Sequence, residues 1–187
     1  MTKLELIGKI NDILIRKKTC IIAIDGMSAS GKTTLGNWLH EQFPHSCLFH
    51  MDDFFLQPHQ RTPDRLAEIG GNVDYERFYQ EVLCNILAKQ DVKYRPFYCT
   101  AQSLGPELEI PFASLAIIEG AYSQHPYFGD IYDLRIFCEI SNTEQKERIL
   151  KRNGLEKWKR FESEWIPKER AYVEHFHIKS KSELLLK

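Results

Sequence analysis

The sequence holds five cysteines, Cys20, Cys47, Cys84, Cys99 and Cys138, but no CxxC pair. His175 and His177 have no cysteines nearby either. Neither a zinc site nor a disulfide framework is therefore written into it. The cysteines, four of them in apolar contexts, are expected to be reduced core residues of a cytoplasmic protein. No apolar run approaches the ~20 residues that a membrane span requires. The opening "MTKLELIGKINDIL" is amphipathic and charged throughout, unlike a secretion signal. There is no basic block: 25 Lys and Arg stand against 26 Asp and Glu, for a net charge of −1. A nucleic-acid backbone is thus an unsuitable main partner. Repeats and low-complexity segments are missing too.

What remains is an ordinary globular composition, 43% hydrophobic and 27% charged over 187 residues. That length can bury a core without staples, and it reads as a single domain, 1–187. Leu4, Ile7, Ile10 and Leu14 fall at helical spacing, so a leading helix is expected over 2–17. "TCIIAID" is a short β-branched run ending at Gly26 and reads as a buried strand. A helix over 32–43 and a strand over 46–51 come next. Residues 56–73, with two prolines and two glycines, read as a loop. A helix is expected over 75–89, with Phe78, Val82, Leu83, Ile86 and Leu87 on one face. "VKYRPFYC" reads as an edge strand because of Pro96. "SLAIIEG" and "LRIFCEI" read as buried strands. Ser141 and Glu144 form a capping-box pattern before a helix to about 152. Residues 155–175 are expected to be helical, with Pro167 near a helix start. Strand and helix alternate, which predicts an α/β fold with a parallel sheet covered on both faces.

Between the first strand and the next helix stands "GMSASGKTT". Gly26, Gly31, Lys32 and Thr33 keep the GxxxxGK[ST] spacing in its required strand-to-helix context. The glycines let successive N–H groups turn inward, and the helix start adds partial positive charge. Residues Gly26, Ser28, Ala29, Ser30, Gly31, Lys32, Thr33 and Thr34 are the expected nucleotide cradle. Lys32 would meet the β and γ phosphates, and Thr33 would offer its hydroxyl to Mg²⁺. The donor is expected to be ATP with Mg²⁺. Asn-Lys-x-Asp and Asp-x-x-Gly, which a GTP-dependent switch would need, do not occur.

"FHMDDFFL" puts Asp52 and Asp53 at the end of the second strand, on the edge that carries the cradle. Strand alternation would turn one carboxylate to the phosphates and leave the other to brace the next loop. The first can accept a proton from an attacking hydroxyl. An Asx turn with Phe54 and Phe55 as core is the plainer alternative. Glu119, closing an apolar strand before Gly120, stands where an acid near Mg²⁺ belongs, or is a solvated strand end.

With these pieces in hand, the chain resembles the uridine kinase-like P-loop kinases. The group includes uridine-cytidine kinase, nicotinamide riboside kinase, pantothenate kinase and phosphoribulokinase. The resemblance rests on "GMSASGKTTL", "MDDFF", "NVDYERF", "IIEGAYS", the Arg148/Arg152 helix and "WIPKERAYVEHF", in that order over roughly 19–176. It implies a three-layer P-loop NTPase fold with a small lid at about 148–166. It implies that Asp52 is the general base, that Asp74 grips ribose hydroxyls and that Glu119 lies near Mg²⁺. Arg148 and Arg152 would be lid arginines, or else a solvated helix face. Asp74 would otherwise be the N-cap of the helix it precedes. Tyr98 falls where uridine kinases have a base-contacting tyrosine, but Ser103 stands near the position of their histidine. "GGNVDYERF" replaces their Phe-Asp-His-Pro-type stretch, and "DDFF" is closer to nicotinamide riboside kinases. The end, "HIKSKSELLLK", is short, so part of the usual last strand and helix is expected to be missing. The implied activity is phosphoryl transfer from ATP to a primary hydroxyl of a small alcohol, foremost a ribonucleoside, with no nucleic-acid or membrane partner and homo-oligomerisation left open.

Overall fold

The buried apolar runs of the sequence become strands of one parallel sheet. The computed structural model describes residues 2–186. β1 (Cys20–Gly26) is central, between β7 (Leu115–Glu119) and β8 (Leu134–Cys138). β2 (Ser46–His50) pairs outside β7, and β9 (Leu184–Leu186) pairs outside β8. The order is β2-β7-β1-β8-β9, and all four pairings are parallel.

The pleat sorts the strand residues into two cores. Ile21 and Ala23 of β1 join Phe49, Ala116, Ile118 and Phe137 on one face. Ile22 and Ile24 join Leu134, Ile136 and Ile117 on the other. Helices α1 (Lys3–Lys17) and α2 (Lys32–Gln42) cover this second face with Leu6, Ile10, Ile13 and Leu39. The helix 75–87 and the helix Ile166–His175 cover the first, through Phe78, Val82, Leu83, Ile86 and Tyr172. Burial of both faces explains why the strands read as unbroken apolar runs.

Several expectations need correction. In α1 the buried stripe is Leu6, Ile10 and Ile13, while Leu4 is exposed. In the helix 75–87 a π-turn over Tyr79–Leu83 rotates the last turn of the helix, and Leu87 lies exposed. The "VKYRPFYC" stretch is no edge of the main sheet. It forms β3 (Val92–Tyr94) and β4 (Phe97–Tyr98), split at Pro96. These pair antiparallel with β6 (Leu108–Ile110) and β5 (Ser103–Leu104) in two separate ribbons. The loop 56–73 contains two short helical turns, Pro58–Gln60 and Pro63–Ala67. Cys20, Cys47 and Cys138 are buried, but Cys84 and Cys99 are exposed, because helix and hairpin turn those positions outward. Leu184–Leu186 forms β9, held to β8 at Ile136, Phe137 and Cys138.

The segment from Asn142 to His175 is an arm of three helical pieces. Asn142–Arg160 is broken at Gly154, whose φ of 78° no helix accommodates. A π-turn Phe161–Trp165 leads into Ile166–His175, with Pro167 in its first turn, where proline is tolerated. Ser141 accepts the Glu144 N–H at 3.2 Å, the cap that its sequence pattern predicts. Ile149, Trp158, Phe161 and Ile166 form a small third core, which packs on Met27 and Ala29. Among the described residues no helix is long and apolar enough to cross a membrane.

Candidate active site

The carboxyl ends of β1, β7 and β2 lie side by side, and the site is built on them. β1 turns at Gly26, with φ of 147°, against the Cys138 carbonyl, which a Cβ would strike. Ala29 at φ 64° and Gly31 at φ 97° continue the turn in left-handed backbone. Such conformations point successive N–H groups to one side and form an anion nest. Lys32 opens α2 and is 8% exposed. Its Nζ donates to the Met27 carbonyl at 3.0 Å, and no carboxylate lies within ion-pair distance of it among the described residues. A buried cation satisfied by one carbonyl is a site made for an anion. Thr34 is exposed on α2 beside it.

The acid side of the site is set by strand register. His50 of β2 lies opposite Glu119 of β7, and Glu119 lies opposite Ile24 of β1. Glu119 is buried, and both its oxygens accept from Thr33 Oγ1 at 3.1 Å. Its Oε1 also meets His50 Nδ1 at 2.6 Å. That bond pushes the His50 pKa up, with burial opposing it and the charges of Glu119, Asp53 and Asp52 assisting. Glu119 therefore touches the cradle hydroxyl that its expected metal role requires.

Asp52 and Asp53 do not sit on a strand. β2 stops at His50, and Met51–Phe54 is a 3₁₀ turn, which separates adjacent side chains by about a third of a revolution. The turn divides their labour as strand alternation would have done. Asp53 Oδ2 accepts from Tyr94 Oη at 2.8 Å, and its carbonyl accepts from Arg77 at 3.0 Å, so it braces the neighbouring ribbon. Asp52 is exposed to solvent on that turn. Crowding by protein atoms raises its pKa, the Lys32 charge opposes this, and the charges of Glu119 and Asp53 add to it. Phe54 is core, and Phe55 is half-buried.

The arm reaches the cradle through Arg148 and through two side chains that the sequence did not single out, Gln145 and Glu169. Glu169 accepts from the Ser28 N–H at 2.8 Å and from the Ser28 hydroxyl. Gln145 Nε2 donates to the Ser28 carbonyl at 3.0 Å. Arg148 donates to the Ala29 carbonyl at 3.1 Å and lies 3.3 Å from Glu144. Arg152 is exposed and bonds its neighbour Asn153 at 2.7 Å. The two arginines are thus not brought together: one lies on the cradle's back, and the other points along its own helix. Below the cradle, buried Asp25 accepts from Gly26 N, Gln124 N and Tyr172 Oη, at 2.7, 3.0 and 2.7 Å. Burial raises the Asp25 pKa against those bonds.

On the side facing the 56–73 loop, Asp74 is 3% exposed and caps the helix 75–87. Oδ1 accepts from Arg77 N at 3.1 Å, and Oδ2 accepts from Gln60 Nε2 at 2.8 Å. Tyr98 is 47% exposed on the β4–β5 hairpin. His50, Gln145 and Glu169 were missed. For His50 the adjacent "DD" was the available signal. Glu169 lay inside a matched stretch without an assigned role.

No family model matches the chain. The human protein named nicotinamide riboside kinase 2 is 28% identical over 144 residues, covering 71% of this chain and 57% of its own length. The chain thus spans little more than half of that relative. A uridine kinase of Ureaplasma parvum is 27% identical over 155 residues, covering 79% of this chain and 75% of its own. A candidate fructose transport system kinase of Silicibacter sp. TM1040 superposes over the whole of both chains, with a TM-score of 0.77 and 22% identity. The fold is that of the P-loop kinases, and the curated relatives are kinases of the uridine and nicotinamide riboside type.

Proposed function

We propose that the chain is an ATP-dependent kinase that phosphorylates the primary hydroxyl of a small molecule, foremost the 5′-hydroxyl of a ribonucleoside. The observation that carries the phosphoryl-transfer half is Lys32, a buried cation at a helix start, beside Thr33 and Glu119 joined at 3.1 Å. Bound Mg·ATP supplies the phosphoryl group. The cradle N–H groups that Asp25 and Glu169 leave free hold its phosphates, and Lys32 leaves the Met27 carbonyl to neutralise the transferring oxygens. Thr33, Glu119 and Asp52 are the groups suited to Mg²⁺. Among the described residues no three-ligand cluster of His, Cys, Asp or Glu forms. This suits an ion that relies on few carboxylates, water and phosphate oxygens.

Asp52 orients the acceptor hydroxyl and takes its proton. A pKa raised by crowding makes it a stronger base than a free aspartate. Arg148 and Arg152 ride an arm over about 148–166 that acts as a lid and excludes water. For the acceptor, both curated relatives' names denote a riboside substrate. Asp74 already accepts an amide proton from Gln60, and a ribose diol is a chemically equivalent donor in that place. Tyr98, exposed on its hairpin, is available to stack on a base. Nicotinamide riboside and pantothenate are the alternative acceptors.

ADP release, measured with a panel of nucleosides and vitamin precursors, tests this reading. The expected result is ADP formation that depends on a riboside and yields its 5′-phosphate. Hydrolysis at the same rate with and without every acceptor would overturn it.

A further inference from the structure

Ser28 is the one cradle residue whose backbone N–H, carbonyl and hydroxyl are all held by side chains from outside the cradle. Glu169 takes its N–H at 2.8 Å and its hydroxyl. Gln145 donates to its carbonyl at 3.0 Å. Both side chains are more than nine-tenths buried, at 6% and 2% exposed. They come from different helices, Asn142–Arg160 and Ile166–His175, at the two ends of the arm. Between those ends the third core of the molecule packs on Met27 and Ala29, the residues on either side of Ser28.

A buried carboxylate is costly unless it is bonded, and burial raises the Glu169 pKa while the two Ser28 bonds oppose this. An N–H held by a carboxylate is a charge-assisted bond, stronger and more directional than a neutral one. Next along the chain, Ala29 takes a left-handed turn at φ 64°, which an alanine adopts only when its neighbours enforce it. Fixing Ser28 at every polar atom is what enforces it. The same bonds make the arm and the cradle one mechanical unit.

We infer that Glu169 and Gln145 are positioning residues that clamp Ser28 and hold the cradle in its phosphate-receiving shape, so that the arm sets donor affinity. The inference rests on the kinase reading above. It gives a role to two residues whose hydrogen bonds go to the cradle itself. It also predicts a graded response. Glu169→Gln keeps an oxygen for the Ser28 N–H, whereas Glu169→Ala and Gln145→Leu leave a cradle group unpaired.

The test combines direct Mg·ATP binding, KM for ATP against kcat, melting temperature, and hydrogen exchange of the peptide carrying 26–34. Glu169→Ala should weaken ATP binding about tenfold or more, the size of one lost bond to a charged group. KM for ATP should rise more than kcat falls, and exchange of the cradle peptide should speed up. Glu169→Gln should return binding to within a few-fold of wild type, and Gln145→Leu should fall between. Unchanged ATP affinity and unchanged cradle exchange, with only a lower melting temperature, would overturn the inference, as would Glu169→Gln being as weak as Glu169→Ala. If the wild type binds no ATP while cradle exchange still responds to Glu169→Ala, the kinase reading fails and the clamp stands.

Discussion

Two regions flank Asp52, and they are built differently. On one side the cradle, Glu119 and the arm are fixed by buried groups with stated partners: Lys32 on Met27, Thr33 on Glu119, Glu169 on Ser28. On the other, the ground over 56–74 and 92–110, on either side of the helix 75–87, consists of short turns and two-stranded ribbons, with Tyr98 exposed. The first side rests on strands buried on both faces, while the second rests on local turns. On the proposed kinase reading this difference would separate a fixed chemistry from an adjustable recognition surface. Phosphate is the same in every reaction, and the alcohol is not.

The comparison breaks most sharply at Lys32. Lys32→Ala should abolish detectable transfer, about 10³-fold or more in kcat, because a preorganised charge at the reacting oxygens is lost. Circular dichroism and melting should show the fold retained. Near-normal turnover would mean that the rigid side is not a phosphate site.

Asp52 stands between the two regions. Asp52→Asn should lower kcat by about 10²-fold or more while ATP binding stays nearly unchanged. Asp53→Asn, which loses only the brace to Tyr94, should cost less, and the reverse order would exchange their roles. The pH dependence sharpens this. If Asp52 is the base it must be ionised to act, and its pKa is raised above the ordinary 3.8, so kcat should fall on acidification with a midpoint above that value. His50, also raised, is protonated over the same acidic range and would produce a limb only if its neutral form were required. An acid limb retained in His50→Gln assigns it to Asp52, and a limb that vanishes there assigns it to His50.

On the adjustable side the effects are smaller and specific to substrate. Asp74→Ala removes a helix cap worth about 1 kcal/mol, a drop of about 2–4 °C for a chain of this size, and more through the lost Gln60 bond and Arg77 ion pair. If Asp74 also binds a diol, kcat/KM on ribosides falls a further ten- to hundredfold, the worth of bonds to a charged group at about 1.5–3 kcal/mol. The wild type should then reject a 2′,3′-dideoxy analogue by a similar factor. Equal use of riboside and dideoxy analogue leaves Asp74 with its structural bonds alone, to the helix start, Gln60 and Arg77.

Legibility in the sequence divides along the same line. Gly26, Gly31, Lys32 and Thr33 were readable because a phosphate nest demands a fixed local spacing. Glu119 was readable because a buried strand must end somewhere. Alternation along a strand was expected to split Asp52 from Asp53, and a 3₁₀ turn splits them instead. Asp74 was readable in two ways, since a cap and a diol ligand ask for the same carboxylate. Gln145 and Glu169 lie 117 and 141 residues from Ser28, and no local pattern marks a contact made across the folded chain. Arg148 and Arg152 were legible only through the family resemblance and their helical spacing. Four residues apart places two side chains on one face, but Ala29 and Asn153 decided where each turned.

The adjacency of β2, β7 and β1 works as a ruler. Neighbouring strands stand about 4.8 Å apart whatever side chains they carry, so the ends bearing Asp52, Glu119 and the cradle are graduations set by backbone hydrogen bonds. Substitution can erase the mark at a graduation without moving its neighbours. Active-site variants of this protein should therefore be separable, with losses at Asp52 and at Glu119 reporting chemistry at two places on one scale.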